Sequence, residues 1–490
     1  MIQGLFLLLL QGKAVGFGKV DLTYDISKTK MLEFATKYNN QHEISLGSLV
    51  FNTDETTESL ASRNTLFDQK ITYTNKFKGN KVFLLTGRYI DEKTPQNYSI
   101  NQFFYQDLFT DAPNTNNVAQ LSENKMEFLG FEAHLLDRKR NGNLLELQFG
   151  NQFRKDGLFT SLLLKENNTT LESPSEYQNN LLYTTNDLYF NTKYRIVLKD
   201  FALTSKLDFH QLYNQIEEEN TTKQQSFFIT PKIGLEWKIN KKNKLLASYT
   251  YNTTNAEILD VYNKYILTSF TSFSKGTGDF NQLTASSAIF NYQLGSWGHQ
   301  FFVNTFILYN KNHDFFSTKS FITQNYSQSD KIVIKDREML SVSLNIDRYI
   351  KAISSNLKLK IGYTKSNYKN IINDSELREI KSTNYNYGFE LRSGFMGVFN
   401  YHIGSKWTTN KIKSPLTSAF TNNMSFLDLL FNVSNKLNIQ IQTERYFFGN
   451  IDKENSTYYF ADLDARYTVK KNKLTLLLSA KNLFKGISKN

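Results

Sequence analysis

Apolar and polar residues alternate one by one along much of this chain. Val20, Leu22, Tyr24 and Ile26 are separated by Asp21, Thr23 and Asp25. Ile233, Leu235, Trp237 and Ile239 are separated by Gly234, Glu236 and Lys238. The same spacing places Leu357, Leu359, Ile361 and Tyr363 around Lys358, Lys360 and Gly362, and Leu437, Ile439 and Ile441 around Asn438 and Gln440. Successive strand side chains point to opposite faces, so each stretch predicts a strand with one apolar and one polar face. Lys, Glu and Asp recur on the polar face, where a dry core would not accept them unpaired.

The connections sort into two length classes. Tight turns are predicted near 27–29, 78–80, 140–143, 199–200, 240–243, 295–298, 352–355, 394–397, 435–436 and 470–473, two of them, 78–80 and 140–143, with the Gly-Asn or Asn-Gly pairs that supply positive φ. Between them lie longer polar stretches at 53–64, 94–122, 167–178 and 409–423, read as loops. A rhythm of tight turn, strand, long loop, strand is that of outer-membrane barrels, whose periplasmic turns are short and extracellular loops long. At two strands per turn the chain carries about twenty. Ten residues at about 3.4 Å each, tilted near 40°, rise about 26 Å, close to the apolar band of such barrels. The stretches 125–137 and 144–164 are longer, and should project beyond the membrane on the loop side or bulge near Gly150. No short repeat of fixed period argues for a β-helix. The predicted fold is all-β, a large transmembrane antiparallel up-and-down barrel forming one domain over 18–490.

Composition agrees. The chain of 490 residues has only 5 Pro and no Cys, with 28 Tyr and 40 Phe. Proline is excluded from strand interiors, and aromatics suit both strands and membrane girdles. Absence of cysteine excludes disulfides and thiolate metal sites. A mean hydropathy of −0.46 is too polar for a helical membrane protein, but a barrel shows lipid only every second residue. The longest apolar run, 5–10, is far short of the roughly 20 residues a membrane helix needs. Net charge is +12, yet the Lys and Arg residues are dispersed and recur at turns such as 241–244 and 470–473. Nucleic-acid binding wants one clustered basic face, so no nucleic-acid partner is expected.

The first residues, 1–10, resemble the apolar part of a signal peptide but lack a basic start and a small-residue cleavage site. Residues 1–17 are therefore set apart as a signal-like segment or an internal start. At the other end, a strand over 474–480 is followed by Asn482, Leu483 and Phe484. Here the chain resembles the TonB-dependent outer-membrane receptor family, in which a similar Asn-Leu-Phe element precedes the last hairpin of a barrel of about 22 strands. The stretch Gly87, Arg88, Tyr89, Ile90 and Asp91, leading to Phe103, Phe104 and Tyr105, is also similar to barrel sequence of that family. The resemblance implies a receptor that binds a scarce nutrient (iron chelate, vitamin, glycan or peptide) at its outer loops. A plug, moved by TonB, then admits the nutrient. Nothing before Gly18 fits a TonB box or plug, and no aromatic residue closes the chain after Phe484. By that resemblance either another chain supplies the plug or, the favoured reading, the sequence is a barrel fragment lacking plug and last hairpin, with an open seam expected between its first and last strands.

The residues themselves offer little covalent chemistry. His42, His134, His210, His299, His313 and His402 are widely separated and show no metal-ligand spacing. Glu217, Glu218 and Glu219 sit on a predicted loop and read as a solvated face or an attractor of cations, including ions bridging to lipopolysaccharide. The run 274–279 has two glycines but no Walker spacing, and reads as a loop. Aromatic groups at Phe301–Phe302, Phe315–Phe316, Phe447–Phe448 and Tyr458–Tyr459–Phe460 are expected in the interfacial girdles, while Phe103, Phe104 and Tyr105 could be girdle or ligand contacts. No catalytic, metal or cofactor site and no enzyme activity is expected, and no substrate-binding residue is assigned. Expected partners are outer-membrane lipid and lipopolysaccharide, the barrel-assembly machinery, a nutrient, and TonB acting through a plug. A plugless channel or an export or assembly barrel is the alternative, and a soluble β-rich adhesin a second.

Overall fold

The computed structural model describes residues 6–51, 54–167, 169–296, 298, 300–394, 397–452 and 456–483. One sheet of 23 strands contains nearly all of them. β1 (Phe6–Ser27), β2 (Lys30–Phe51), β3 (Asp54–Phe77), β4 (Lys81–Ile100), β5 (Asn117–Arg138) and β6 (Leu144–Glu166) run up and down in turn, each antiparallel to the last. Past the short β7 (Thr169–Glu172), β6 pairs with β8 (Gln178–Leu198), and the wall continues through β9 (Phe201–Glu217), β10 (Thr221–Lys238) and β11 (Asn243–Asn255). A one-turn helix α1 (Ile258–Val261) and the short strands β12 (Ile266–Ser269) and β13 (Ser272–Lys275) follow.

β11 then pairs with β14 (Gln282–Leu294), followed by β15 (Phe301–Ile322), β16 (Ser327–Ile350), β17 (Ser355–Ile372) and β18 (Arg378–Ser393). β19 (Phe399–Lys413), β20 (Thr417–Asn432), β21 (Leu437–Phe447), β22 (Thr457–Lys470) and β23 (Leu474–Ala480) complete the meander. Setting aside the four-residue β7, β12 and β13, twenty wall strands remain, the number the turns imply. β1 and β23 each pair with a single neighbour, and no ladder joins them among the described residues. No helix among those residues is long and apolar enough to cross a membrane, which says nothing of strands.

All ten tight turns fall where the sequence puts them, at one end of the wall. Gly79 and Asn80 both take positive φ, 81° and 64°, as the two central residues of a primed hairpin turn require. Lys199 does the same at 52° without a glycine to announce it. The loop end departs from expectation in two places. The stretches 53–64 and 409–423 are mostly strand, since β3 begins at Asp54, and only 414–416 separate β19 from β20. Above an apolar band both faces of a strand are wetted, so alternation fades and strand composition looks like loop. Pairing of β1 with β2 also runs up to Phe6, so residues 6–17 belong to the sheet.

Alternation gives the wall two faces. Trp237 pairs across to Phe201 with rings stacked 5.2 Å apart, Phe399 meets Phe431, and the Arg348 guanidinium lies 5.7 Å from the Phe301 ring, all near the tight turns. On the same outward face, Tyr387 stacks on Trp407 at 5.4 Å toward the loop end. The rise from Phe399 to Trp407 along β19 is about 21 Å at roughly 3.4 Å per residue and a tilt near 40°. Two aromatic belts therefore bound an apolar zone of Ile, Leu and Val. The opposite face is charged and is the inner one, because the loops pack against it.

No bulge occurs at Gly150. The ladders from β6 to β5 and β8 pass through it unbroken, Gly150 opposing Glu132 and Tyr189. The long strands simply project beyond the belts. Gly150 is needed for another reason: the Tyr189 ring lies across its inner face, and a Cβ there would sit 2.5 Å from the ring. That placement lets the Tyr189 hydroxyl donate to Glu132 at 2.8 Å. Gly150→Val should lower stability in detergent micelles by about 1–3 kcal/mol, the usual cost of overpacking. Gly18→Ala, where nothing lies within 4 Å of the added Cβ, should leave the urea midpoint nearly unchanged.

Candidate functional site

The largest buried clusters sit where the loops meet the inner wall. In the connection between β4 and β5, Phe103, Tyr105 and Phe109 turn inward and pack on Ile100, Val118, Leu162 and Leu164 of the wall. Tyr177, Leu267, Phe273 and Tyr326 come in from three other connections. The rings meet edge-on or tilted, with Tyr105 4.9 Å from Phe273, Phe109 4.8 Å from Tyr177, and Tyr177 5.5 Å from Phe273. Tyr105 is wholly buried and its hydroxyl donates to the Phe270 carbonyl. Burial holds the Tyr105 and Tyr177 phenols well above their ordinary pKa, and the Tyr177 oxygen accepts from Gln328 at 3.4 Å. Each fully buried aromatic contributes about 1.5–3 kcal/mol relative to exposure.

The connection between β11 and β14 is the central piece. β13 adds itself in parallel to the start of β16, Ser272 opposite Ser327 and Lys275 opposite Asp330. The Leu267 N–H donates to Gln120 of β5 at 3.0 Å, tying the hairpin to the far strands. Ile258, Val261 and Tyr262 of the α1 region pack on Leu158, Leu181, Tyr183 and Ile216, all wall residues of β6, β8 and β9. The Lys331 ammonium donates to Asp260 at 2.7 Å and to the Leu259 carbonyl at 2.9 Å, fixing α1 against β16. Gly276 makes this docking possible, since a Cβ would lie 2.4 Å from the Tyr262 carbonyl. The result is a folded cap over the inner wall at the loop end.

Beyond the cap the inner wall is lined with ion pairs. Arg88 grips Asp68 through two bonds of 2.9 Å, Lys193 meets Glu146 at 3.1 Å, and Glu236 lies between Arg195 at 2.9 Å and Lys244 at 3.0 Å. Partly exposed pairs of this kind add little stability. Their effect is to make the inner face charged and wettable, with the two signs interspersed.

Several residues singled out in the sequence now have places. Phe103 and Tyr105 belong to the cap interior, so neither is girdle or exposed ligand contact, and Phe104 packs against the same cluster. Glu218 and Glu219 are held by Lys264 at 3.7 and 3.3 Å, and Asn263 donates to Glu218 at 2.7 Å. The acidic run thus anchors the β9–β10 tip to the cap. Of the 274–279 run, Ser274 and Lys275 end strand β13, and only 276–279 form the loop that locks α1, with the Thr277 N–H on the Asp260 carbonyl at 2.6 Å.

The histidines stay apart. His210 contacts Asp187 at 2.9 Å, His313 meets Ser286 at 2.9 Å, and His402 lies 3.5 Å from Asp428. His299 and Phe484 lie outside the described residues. No cluster able to hold a metal ion occurs among the described residues.

The aromatic groups split between faces, because neighbours on a strand point oppositely. Phe301, Phe447 and Tyr459 face outward with the belts, whereas Phe302, Phe448, Tyr458 and Phe460 face inward. Period-two spacing carried that information, and counting clusters of aromatics concealed it.

No protein-family model matches the chain, and no curated protein matches it. Among solved structures it is similar to the siderophore receptor PiuA from Acinetobacter baumannii, with 10% identity and a TM-score of 0.44 over 91% of this chain and 78% of that one. The siderophore receptor PirA from Pseudomonas aeruginosa gives 11% identity and 0.43 over 92% and 76%. The FrpB iron transporter from Neisseria meningitidis gives 10% identity and 0.45 over 90% and 76%. The fold assignment rests on the strand order and register described above.

Truncation of the cap should separate it from the wall. Tyr105→Ala removes the wholly buried ring that joins the β4–β5 and β11–β14 connections and should cost the cap about 3–5 kcal/mol. Limited proteolysis should then cut within 101–116 and 256–281 while heat-dependent gel migration of the barrel is retained. Loss of that migration together with cleavage would show cap and wall to be one cooperative unit.

Proposed function

We propose that this chain is the wall of a TonB-dependent receptor in a bacterial outer membrane, taking up a scarce nutrient recognised at its loop end. The observation that carries the reading is the polarity of the wall. All tight turns lie at one end, and a folded cap built on the inner face lies at the other. Between them are an apolar zone outside and ion pairs inside. Such a division suits a wall with hydrocarbon on one side and an aqueous passage on the other. A sheet of twenty wall strands encloses more space than its own side chains fill, which supports an occupant such as a plug. The membrane partners are lipid and lipopolysaccharide, with insertion by the barrel-assembly machinery. TonB would act through the plug rather than on the wall.

In the producing bacterium, uptake of the nutrient should require both this gene and TonB, and the purified barrel should migrate faster unheated than boiled. Uptake that persists without TonB, with large steady conductance in planar bilayers, would favour the plugless channel or export reading. A freely soluble product insensitive to heating would favour the adhesin.

Orientation has its own test. Ile361 faces outward within the apolar zone and Lys360 inward beside Glu390 at 3.6 Å. Ile361→Arg should destabilise the protein in lipid vesicles by about 2–4 kcal/mol, the cost of a cation near mid-membrane. Lys360→Gln should cost no more than about 1 kcal/mol, as expected for an exposed ion pair. Equal effects of the two substitutions in urea titrations would contradict the assignment of faces.

A further inference from the structure

On the inner face, at the loop end of β21 and β22, four aromatic rings share one recess with a carboxylate that forms no ion pair among the described residues. Tyr446 is paired directly with Tyr458, and Glu444 with Phe460, so the side chains form one patch across the two strands. Tyr446 and Phe448 lie nearly parallel, 6.3 Å between centroids. Each stands almost perpendicular to a ring across the ladder, Tyr446 to Phe460 and Phe448 to Tyr458, at 5.9 Å in both pairs. These rings and Glu444 line a cavity of about 470 Å³, within the usual range for small ligands. Tyr458 and Phe460 remain 39% and 40% exposed, far more than the cap aromatics.

Glu444 accepts a 2.7 Å hydrogen bond from the Tyr446 hydroxyl, which orients the carboxylate within the patch. The basic residues nearest by register on this face are Lys406, opposite Met424 of β20, His402, which lies 3.5 Å from Asp428, and Lys481, which pairs with Asp462 at 3.2 Å and Asp464 at 2.9 Å; among the described residues none forms an ion pair with Glu444. The basic neighbour in sequence, Arg445, projects outward and donates to Asn423 at 2.9 Å.

We infer that this patch binds an organic cation of low charge density, of the alkylammonium class. Ring faces carry negative quadrupole potential and attract a cation that approaches within about 6 Å. A bulky alkylated ammonium is weakly hydrated and can exchange water for ring faces, with Glu444 supplying the counter-charge. A metal ion would find one carboxylate and no further oxygen cage, and would keep its water. A neutral apolar ligand would cover the Glu444 carboxylate without pairing it, at the cost of desolvating a charge. The inference needs only the fold and the two-strand register, so it stands or falls separately from TonB-dependent uptake.

The test uses the full chain refolded in detergent micelles, with choline as probe and its neutral carbon isostere 3,3-dimethyl-1-butanol as comparison, both followed by ligand-observed NMR titration. Choline should bind saturably and at least about tenfold more tightly than the isostere, the ratio that one unscreened cation–π or ion-pair contact supplies. Glu444→Gln and Phe460→Leu should each weaken choline about tenfold. Phe447→Leu, on the outward face of the same hairpin, should change nothing. Heat-dependent migration reports that each variant is folded. Equal binding of probe and isostere overturns the inference, as does absence of saturable choline binding. Undiminished affinity in a folded Glu444→Gln variant does the same.

Discussion

A strand of twenty or more residues carries a row of N–H and C=O groups on each edge, and each such group left without a partner away from water costs several kcal/mol. The rest of this molecule follows from meeting that requirement. From β2 through β22 every wall strand is laddered antiparallel to a neighbour on each side, so much of its backbone is satisfied by the chain itself. Only after the backbone is paired can the outward side chains be Ile, Leu and aromatic, as they are between the two belts. Pro95 shows the constraint locally. It donates nothing toward β3, and the ladder there lapses at Arg63 and Asn64 before resuming at Thr65. Asn64 compensates by donating to Glu92 and Thr94 at 2.8 and 3.3 Å.

The ladder makes the wall stiff but leaves its interior empty, and the loops answer that emptiness unevenly. Connections following β4, β6 and β11 carry enough apolar residues to form a small core of their own, using the inner wall as its floor. Connections following β17 and β19 are short and, among the described residues, add nothing comparable. The inner face is therefore dry and packed over one arc and open over another. The aromatic patch of Tyr446, Phe448, Tyr458 and Phe460 lies in the open arc. Aromatic residues thus serve three ends in one chain. They anchor the outward belts, fill the cap, and line an exposed inner recess.

Alternation ties these roles together through the same hairpin. On β21, Glu444, Tyr446 and the adjoining Phe448 face inward, while Arg445 and Phe447 face outward with the guanidinium 6.0 Å from the Phe447 ring. A shift of register by one residue would exchange the two sets, placing a carboxylate against the apolar zone and the belt inside. The cost of that exchange keeps the register of the whole sheet fixed.

Sequence alone determined the wall: the strand count, the places where the tight connections fall between strands, and the two-faced character of each strand. Those features are local, since alternation and turn chemistry act over two to ten residues. It misjudged the tops of β3 and β20, where both faces meet water and the period-two signal disappears. Tertiary structure alone decided the cap, because Tyr105, Tyr177, Phe273 and Tyr326 are far apart in the chain and meet only once the wall brings their connections together. It also decided that Glu218 and Glu219 are anchored by Lys264, and that Glu444 shares one recess with four aromatic rings. No short-range pattern encodes such meetings, since they depend on which strands the sheet places side by side and on which face its curvature turns inward.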